Sequence, residues 1–166
     1  EVEGGRSTDS NQLASDGYED IHVELPRGVH PPRRIVVPGL GAVVEVSCSS
    51  YCTIAITLDG RVFSWGDSDG NALGHSCAEC HTPVWITSLR GLRVAHGSLA
   101  YTNAAVATDE GRCYMWGGNA WEHGIAGGRS SLGPTEVVWS GVPSCYRCSS
   151  VALASAHGYL IFQKQP

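Results

Sequence analysis

The chain has 166 residues, of which 42% are apolar, 16% charged and 8% aromatic, with 21 Gly, 8 Pro, 7 Cys and a formal net charge of -5. That length suits about one domain and is enough to bury a sizeable core. There is no apolar run of about 18 residues for a membrane span and no collagen period. The basic residues are scattered apart from Arg33-Arg34, so the electrostatic stripe on which non-specific nucleic-acid binding relies is absent.

Residues 1–30 open on a stretch of Gly, Ser, Asp and Asn with few large apolar groups. Such a segment does not recover the entropy of ordering and is expected to be a flexible tail. Ile21-His22-Val23-Glu24-Leu25 alternates well enough for one short strand before Pro26 ends it. Residue 1 is Glu, which predicts a processed chain or a piece of a longer one, and residues 1–17 lack the apolar core of a signal peptide.

From about residue 31 the sequence repeats. Ala55-Ile56-Thr57-Leu58-Asp59-Gly60-Arg61-Val62-Phe63-Ser64-Trp65-Gly66 is matched by Val106-Ala107-Thr108-Asp109-Glu110-Gly111-Arg112-Cys113-Tyr114-Met115-Trp116-Gly117, and Pro32, Pro83 and Pro134 keep the same 51-residue interval. Residues 151–162 read as a third, degenerate copy, with Gly158 placed 47 residues beyond Gly111. The repeats fall at about 31–82, 83–133 and an incomplete 134–166. Asp59-Gly60 stands between two apolar-rich runs, the signal for a hairpin whose turn needs positive φ, and Glu110-Gly111 and His157-Gly158 take the same place. No segment sustains a 3.6-residue apolar period. A period near 50 residues with about four short strands per unit predicts an all-β chain of four-stranded antiparallel propeller blades, each sheet buried only by its neighbours.

Two propeller families with named signatures fit poorly: there is no Trp-Asp dipeptide, and Gly117-Gly118 is only a slight kelch-like feature. The segments Val46–Thr57, DGRVFSWG (59–66) and DSDGNALGHS (67–76), with AHGSLAYTNAAVATDEGRCYMWGGN (95–119) as a second copy, resemble the regulator of chromosome condensation repeat. The resemblance covers roughly residues 31–162 and describes a divergent member. The family's usual His before the Thr of the second strand is replaced by Cys52, Asn103 and, in the last copy, Ser150, and its Gly-Gln-Leu-Gly segment, kept as Asn71-Ala72-Leu73-Gly74, becomes Glu122-His123-Gly124-Ile125 in the second copy. It implies a β-propeller, of which this chain supplies little more than two blades. Open terminal faces invite association, so further blades, a capping partner or self-assembly is expected.

The chemistry-bearing residues are few. Cys77-Ala78-Glu79-Cys80-His81 spells the c-type haem attachment pattern, but in a loop between blade strands. Cys145-Tyr146-Arg147-Cys148 is a second CxxC; four thiolates from Cys77, Cys80, Cys145 and Cys148 would suit zinc, yet the pairs stand much farther apart than the usual spacing. No cofactor and no metal is expected from these patterns. Seven cysteines, an odd number, predict free thiols in a reducing intracellular compartment, cytoplasmic or nuclear.

Gly60, Trp65, Gly66, Gly111, Trp116 and Gly117 are expected to be structural, large rings filling gaps between blades while Gly lets the backbone pass closely. The seven His residues have no partnered nucleophile or acid in sequence, and no GxSxG, HExxH or GxxxxGK[ST] occurs, so no catalytic residues are expected. The resemblance implies a non-catalytic protein-interaction module binding through blade loops, with Asp67, Asp69, Asn71, Asn119, Trp121 and His123 as candidate contacts. Two alternatives accompany it: a guanine-nucleotide exchange factor for a small Ran-like GTPase, and a regulatory segment of a larger multidomain protein such as a ubiquitin ligase.

Overall fold

A computed structural model describes residues 34, 37, 39–67, 69–77, 79–118, 131–154 and 158–165. The chain divides into two units, Glu1–Ile35 and Val36–Pro166, and everything below concerns the second. The expected tail over 1–30 and its strand at 21–25 lie outside the described residues.

Among the described residues ten strands run in chain order: β1 (Val43–Cys48), β2 (Cys52–Thr57), β3 (Val62–Asp67), β4 (Glu79–Trp85), β5 (Val94–Ala100), β6 (Asn103–Thr108), β7 (Cys113–Gly117), β8 (Ser131–Glu136), β9 (Tyr146–Leu153) and β10 (Gly158–Lys164). They form two four-stranded antiparallel sheets, β1-β2-β3-β4 and β5-β6-β7-β8, and a two-stranded sheet of β9 and β10. The only helical pieces among the described residues are two 3-10 turns, Asp69–Asn71 and Thr87–Leu89. Among the described residues no helix is long and apolar enough to cross a membrane. Pro83 and Pro134 lie on β4 and β8, the last strands of their sheets, where a missing N–H breaks no ladder. Counted from these prolines or from the hydrogen-bonded sheets, the same 51-residue period is cut at different points.

The core is laminated between the sheets. All six residues of β6, NAAVAT, are buried, and period-2 alternation divides them. Ala104 and Val106 join Ile54, Ile56, Val62, Leu73, Leu99 and Trp116 in one cluster. Ala105 and Ala107 join Cys113, Met115, Val137, Cys148 and Val151 in the next. Alanines suit a strand covered on both sides, where a larger chain would hold the sheets apart.

The hairpin turns differ in detail from a two-residue loop. Gly60 donates to the Thr57 carbonyl at 2.8 Å and Thr57 N donates to the Arg61 carbonyl at 3.0 Å, leaving Gly60 as the one left-handed residue of the turn, at φ 82°. This is the three-residue loop with a Gly bulge, and Gly111 repeats it, donating to Thr108 at 2.9 Å with φ 81°.

These turns also join neighbouring sheets. Val94 N donates to the Gly60 carbonyl and Cys148 N to the Gly111 carbonyl, both at 3.0 Å. Arg93 donates to the Leu58 carbonyl at 2.9 Å, and Arg147 donates likewise to the Glu110 carbonyl. The correspondence of Arg147-Cys148 with Arg93-Val94 makes β9 the first strand of a third blade and β10 its second. The expected third copy is therefore displaced by one strand: Val151–Leu153 belongs to the first strand, and Gly158 opens the second strand and pairs with Leu153. The apolar run at 151–162 imitates a second strand and its turn, whereas the contacts with the preceding blade decide the register. At the ends of the stack, Val44 and Val46 on β1 and Tyr159 and Ile161 on β10 are exposed.

Candidate functional site

Trp116 is fully buried and its indole Nε1 donates to the Ala72 carbonyl at 2.8 Å, across from the second sheet to the β3–β4 connection of the first. Trp65, its counterpart, is only partly buried. Gly66 and Gly117 follow these rings at φ 111° and 114°. A Cβ at Gly66 would lie 2.7 Å from Cys52 Cα, and one at Gly117 would lie 2.8 Å from Asn103 Cα, so strand and turn pass each other without room for a side chain.

The turns after β1 and β5 form one rim with the ends of β3 and β7. Asp67 N donates to the Tyr51 carbonyl at 2.9 Å, and 51 residues on Gly118 N donates to the Thr102 carbonyl at 3.0 Å. On this rim the exposed rings of Tyr51 and Tyr101 meet edge to face, with centroids 5.6 Å apart and planes at 69°. Ser49 Oγ tightens the first turn by accepting from the N–H groups of Tyr51 and Cys52 at 3.3 and 3.2 Å. An open groove of about 470 Å³ runs alongside, lined by Cys48, Ser49, Ser50, Leu99, Ala100, Tyr101, Leu153 and Ala154, so all three blades contribute to it.

The candidate contacts divide around this rim. Asp67 is exposed there. Asp69 and Asn71 lie in the 3-10 turn that follows, with Asn71 left-handed at φ 65°. Between them a Cβ at Gly70 would come 2.8 Å from Thr102 Cβ, so this backbone is wedged against the neighbouring blade. Asn119, Trp121 and His123 lie outside the described residues. Sequence reasoning missed Tyr51 and Tyr101. The backbone equivalent of Tyr51 is Thr102, so the aromatic pair breaks the period; the available signal was an aromatic residue in each of two matching turns.

The cysteines depart from the expectation of seven free thiols. Cys77 and Cys80 form a disulfide, because the loop entering β4 brings their Cα atoms to 6.4 Å, within bridging range. Cys48, Cys52, Cys113, Cys145 and Cys148 are free. The two CxxC pairs do not meet: Cys148 lies in the second core cluster with Cys113, and Cys145 is exposed. Cys113 and Cys148 share a hydrogen bond that, with burial, holds the Cys113 thiol above its ordinary range and draws Cys148 below. His81 of the haem-like pattern is exposed and lies 3.6 Å from Glu79. Instead the structure gathers His75, Cys77 and Cys80, with one ligand atom of each within 4.8 Å of the others.

Antiparallel sheets repeated at a 51-residue period, each covered by the next and joined turn to strand, define a segment of a β-propeller. Residues 43–71 and 59–105 match the regulator of chromosome condensation (RCC1) repeat, so this stretch of the chain carries RCC1 repeats. The chain is 36% identical over 78 residues to the human E3 ubiquitin-protein ligase HERC2, covering 46% of this chain and 2% of that protein. It is 32% identical over 96 residues to the ultraviolet-B receptor UVR8 of Arabidopsis thaliana, covering 57% of this chain and 20% of the receptor. The crystal structure of human WBSCR16 superposes with a TM-score of 0.68 at 24% identity, covering 80% of this chain and 34% of the other. Prp20p of Saccharomyces cerevisiae, whose structure was determined together with its binding properties to Gsp1p and histones, superposes with a TM-score of 0.68 at 12% identity, covering 81% and 34%. The chain thus spans about a third of these solved propellers and a small part of the curated relatives.

Proposed function

We propose that the chain is a protein-interaction module that binds a protein partner through the rim carrying Tyr51, Tyr101 and Asp67, with Asn119, Trp121 and His123 as further contacts. The observation that supports this best is the Tyr51–Tyr101 pair, two exposed rings, relative exposures 49% and 44%, held together on a rim beside a groove. Tyr supplies large contact area at small entropy cost and is enriched where interfaces concentrate their energy. Nothing in such binding requires bond-making residues.

The test is capture of partners by the chain and by a Tyr51→Ala/Tyr101→Ala form of matched stability. Loss of the same partner from the double variant is expected; undiminished capture would sink the reading. The similarity to HERC2 favours a second reading, a regulatory segment of a larger ubiquitin ligase, for which the recovered partner would be ubiquitinated only when this segment is present. Exchange-factor activity toward a Ran-like GTPase is tested separately by nucleotide release, which is expected to be unchanged on adding the chain.

A further inference from the structure

The connection from β3 to β4 holds a half-buried histidine, His75. His75 Nε2 is buried without a hydrogen-bond partner, and its Nδ1 accepts only a long bond, 3.3 Å, from Cys77 N. Buried polar groups are ordinarily satisfied, and an exception calls for a ligand or a role. Two sulfur atoms lie beside this ring, those of Cys77 and Cys80, all three candidate ligand atoms falling within 4.8 Å. A disulfide between the two cysteines accounts for the sulfurs but does not engage His75 Nε2.

We propose that His75, Cys77 and Cys80 form a zinc site in the dithiol form of this loop, with the fourth coordination position open to solvent. Two thiolates and one imidazole are a borderline-soft donor set, which suits zinc in a tetrahedral arrangement and disfavours magnesium or calcium. Reduction of the disulfide takes two electrons and two protons, supplied by a dithiol reductant, and yields two thiols. Zinc then displaces the thiol protons to solvent as the zinc–sulfur bonds form, with no further change of oxidation state. His81 does not complete the set: its side chain is 85% exposed, whereas Cys80 on the adjoining strand position is buried. The site would fasten the loop to β4 independently of how the rim is used.

The test uses the full chain, reduced under anaerobic conditions, then exposed to zinc and dialysed, with metal counted by elemental analysis. About one zinc per chain is expected. Cobalt in its place is expected to give the intense visible absorption of a tetrahedral thiolate site. Cys77→Ser/Cys80→Ser should lose both signals. His75→Ala, which leaves every thiol in place, should weaken zinc binding by at least about tenfold, the scale of losing even a supporting partner. Tryptophan fluorescence of each variant checks that the blades remain folded. Absence of zinc from the reduced wild-type chain would overturn the proposal, as would full zinc binding by the folded double-serine variant or by His75→Ala.

Discussion

Trp116 of the second blade donates its indole N–H to the carbonyl of Ala72 in the first, at 2.8 Å in a fully buried setting. Ring and carbonyl satisfy each other between two sheets, so the blade contact carries a directional bond as well as apolar area. A buried carbonyl left without its donor costs about 1–3 kcal/mol. Trp116→Phe is therefore expected to lower unfolding stability by about that amount, and Trp116→Ala by about 3–5 kcal/mol through the added cavity. Trp65→Phe, at the partly buried counterpart, should cost less than either. Urea unfolding of the three variants checks the order.

A second inter-blade bond repeats at the period itself. Ser47 Oγ accepts from Leu99 N at 3.0 Å, and Ser98 Oγ, 51 residues on, accepts from Leu153 N at 2.9 Å. Ser98→Ala should therefore loosen the β9–β10 hairpin at a cost of roughly 1 kcal/mol. The amide of Leu153 should exchange faster with solvent while that of Leu99 is unaffected; Ser47→Ala should give the converse. Amide exchange followed by mass spectrometry or NMR distinguishes this from a uniform loss of stability.

These pairs show what the sequence could and could not disclose. Gly60 and Gly111 were legible because a tight turn writes its need for positive φ into one local position. Ser47 and Ser98 carry no such mark, since their role exists only once a second sheet lies against the first. The same limit misplaced the third copy: the apolar run 151–162 is locally a plausible second strand, while the bonds from Arg147 and Cys148 to the Glu110–Gly111 turn identify the first strand through contacts 37 residues away. Tyr51 and Tyr101 escaped because their ring contact breaks the repeat. Cysteine parity likewise said nothing about the short loop that brings Cys77 to Cys80.

Close approach makes a sharper test at Gly117. It sits at φ 114°, and an added Cβ would meet Asn103 Cα at 2.8 Å as well as the Thr102 carbonyl. Gly141, at φ 96°, has nothing within 4 Å of an added Cβ. Gly141→Ala should therefore cost about 1–2 kcal/mol, the price of a left-handed backbone with a side chain, and Gly117→Ala should exceed it clearly. Equal thermal midpoints for the two variants would contradict the packing described for the Trp-Gly strand.

Acid should act on the first hairpin through Asp59. A hydrogen bond from Thr57 Oγ1, followed by the Arg61 side chain with Nε at 2.8 Å, holds its carboxyl below the ordinary value. Over the interval between the folded and unfolded pKa values the unfolded chain binds more protons, so stability rises with pH there. The contribution is present above the unfolded value, near 3.8, and is lost as pH falls through the folded one. Asp59→Asn should make the acid limb of the stability profile shallower while leaving the profile near neutrality parallel to wild type. Because the side chain is exposed, added salt should narrow the difference.

The five free thiols should react in two classes. Cys48 and Cys145 are exposed, whereas Cys52, Cys113 and Cys148 are buried. Burial raises the Cys52 pKa despite its Ser49 hydrogen bond, and the bond to Cys148 together with burial raises that of Cys113. The thiolate is the reacting species, so both groups are protected by charge state as well as by access. Cys148 is drawn toward the thiolate by the same bond but lies between the second and third blades. Under non-reducing conditions, alkylation of the folded chain followed by peptide mass spectrometry should label Cys48 and Cys145 early. Cys148 should follow when the β9–β10 hairpin opens, ahead of Cys113, and Ser98→Ala should accelerate Cys148 by loosening that hairpin. Labelling of Cys113 as fast as Cys145 in the native chain would show that the contact between these two blades is not the closed one seen here.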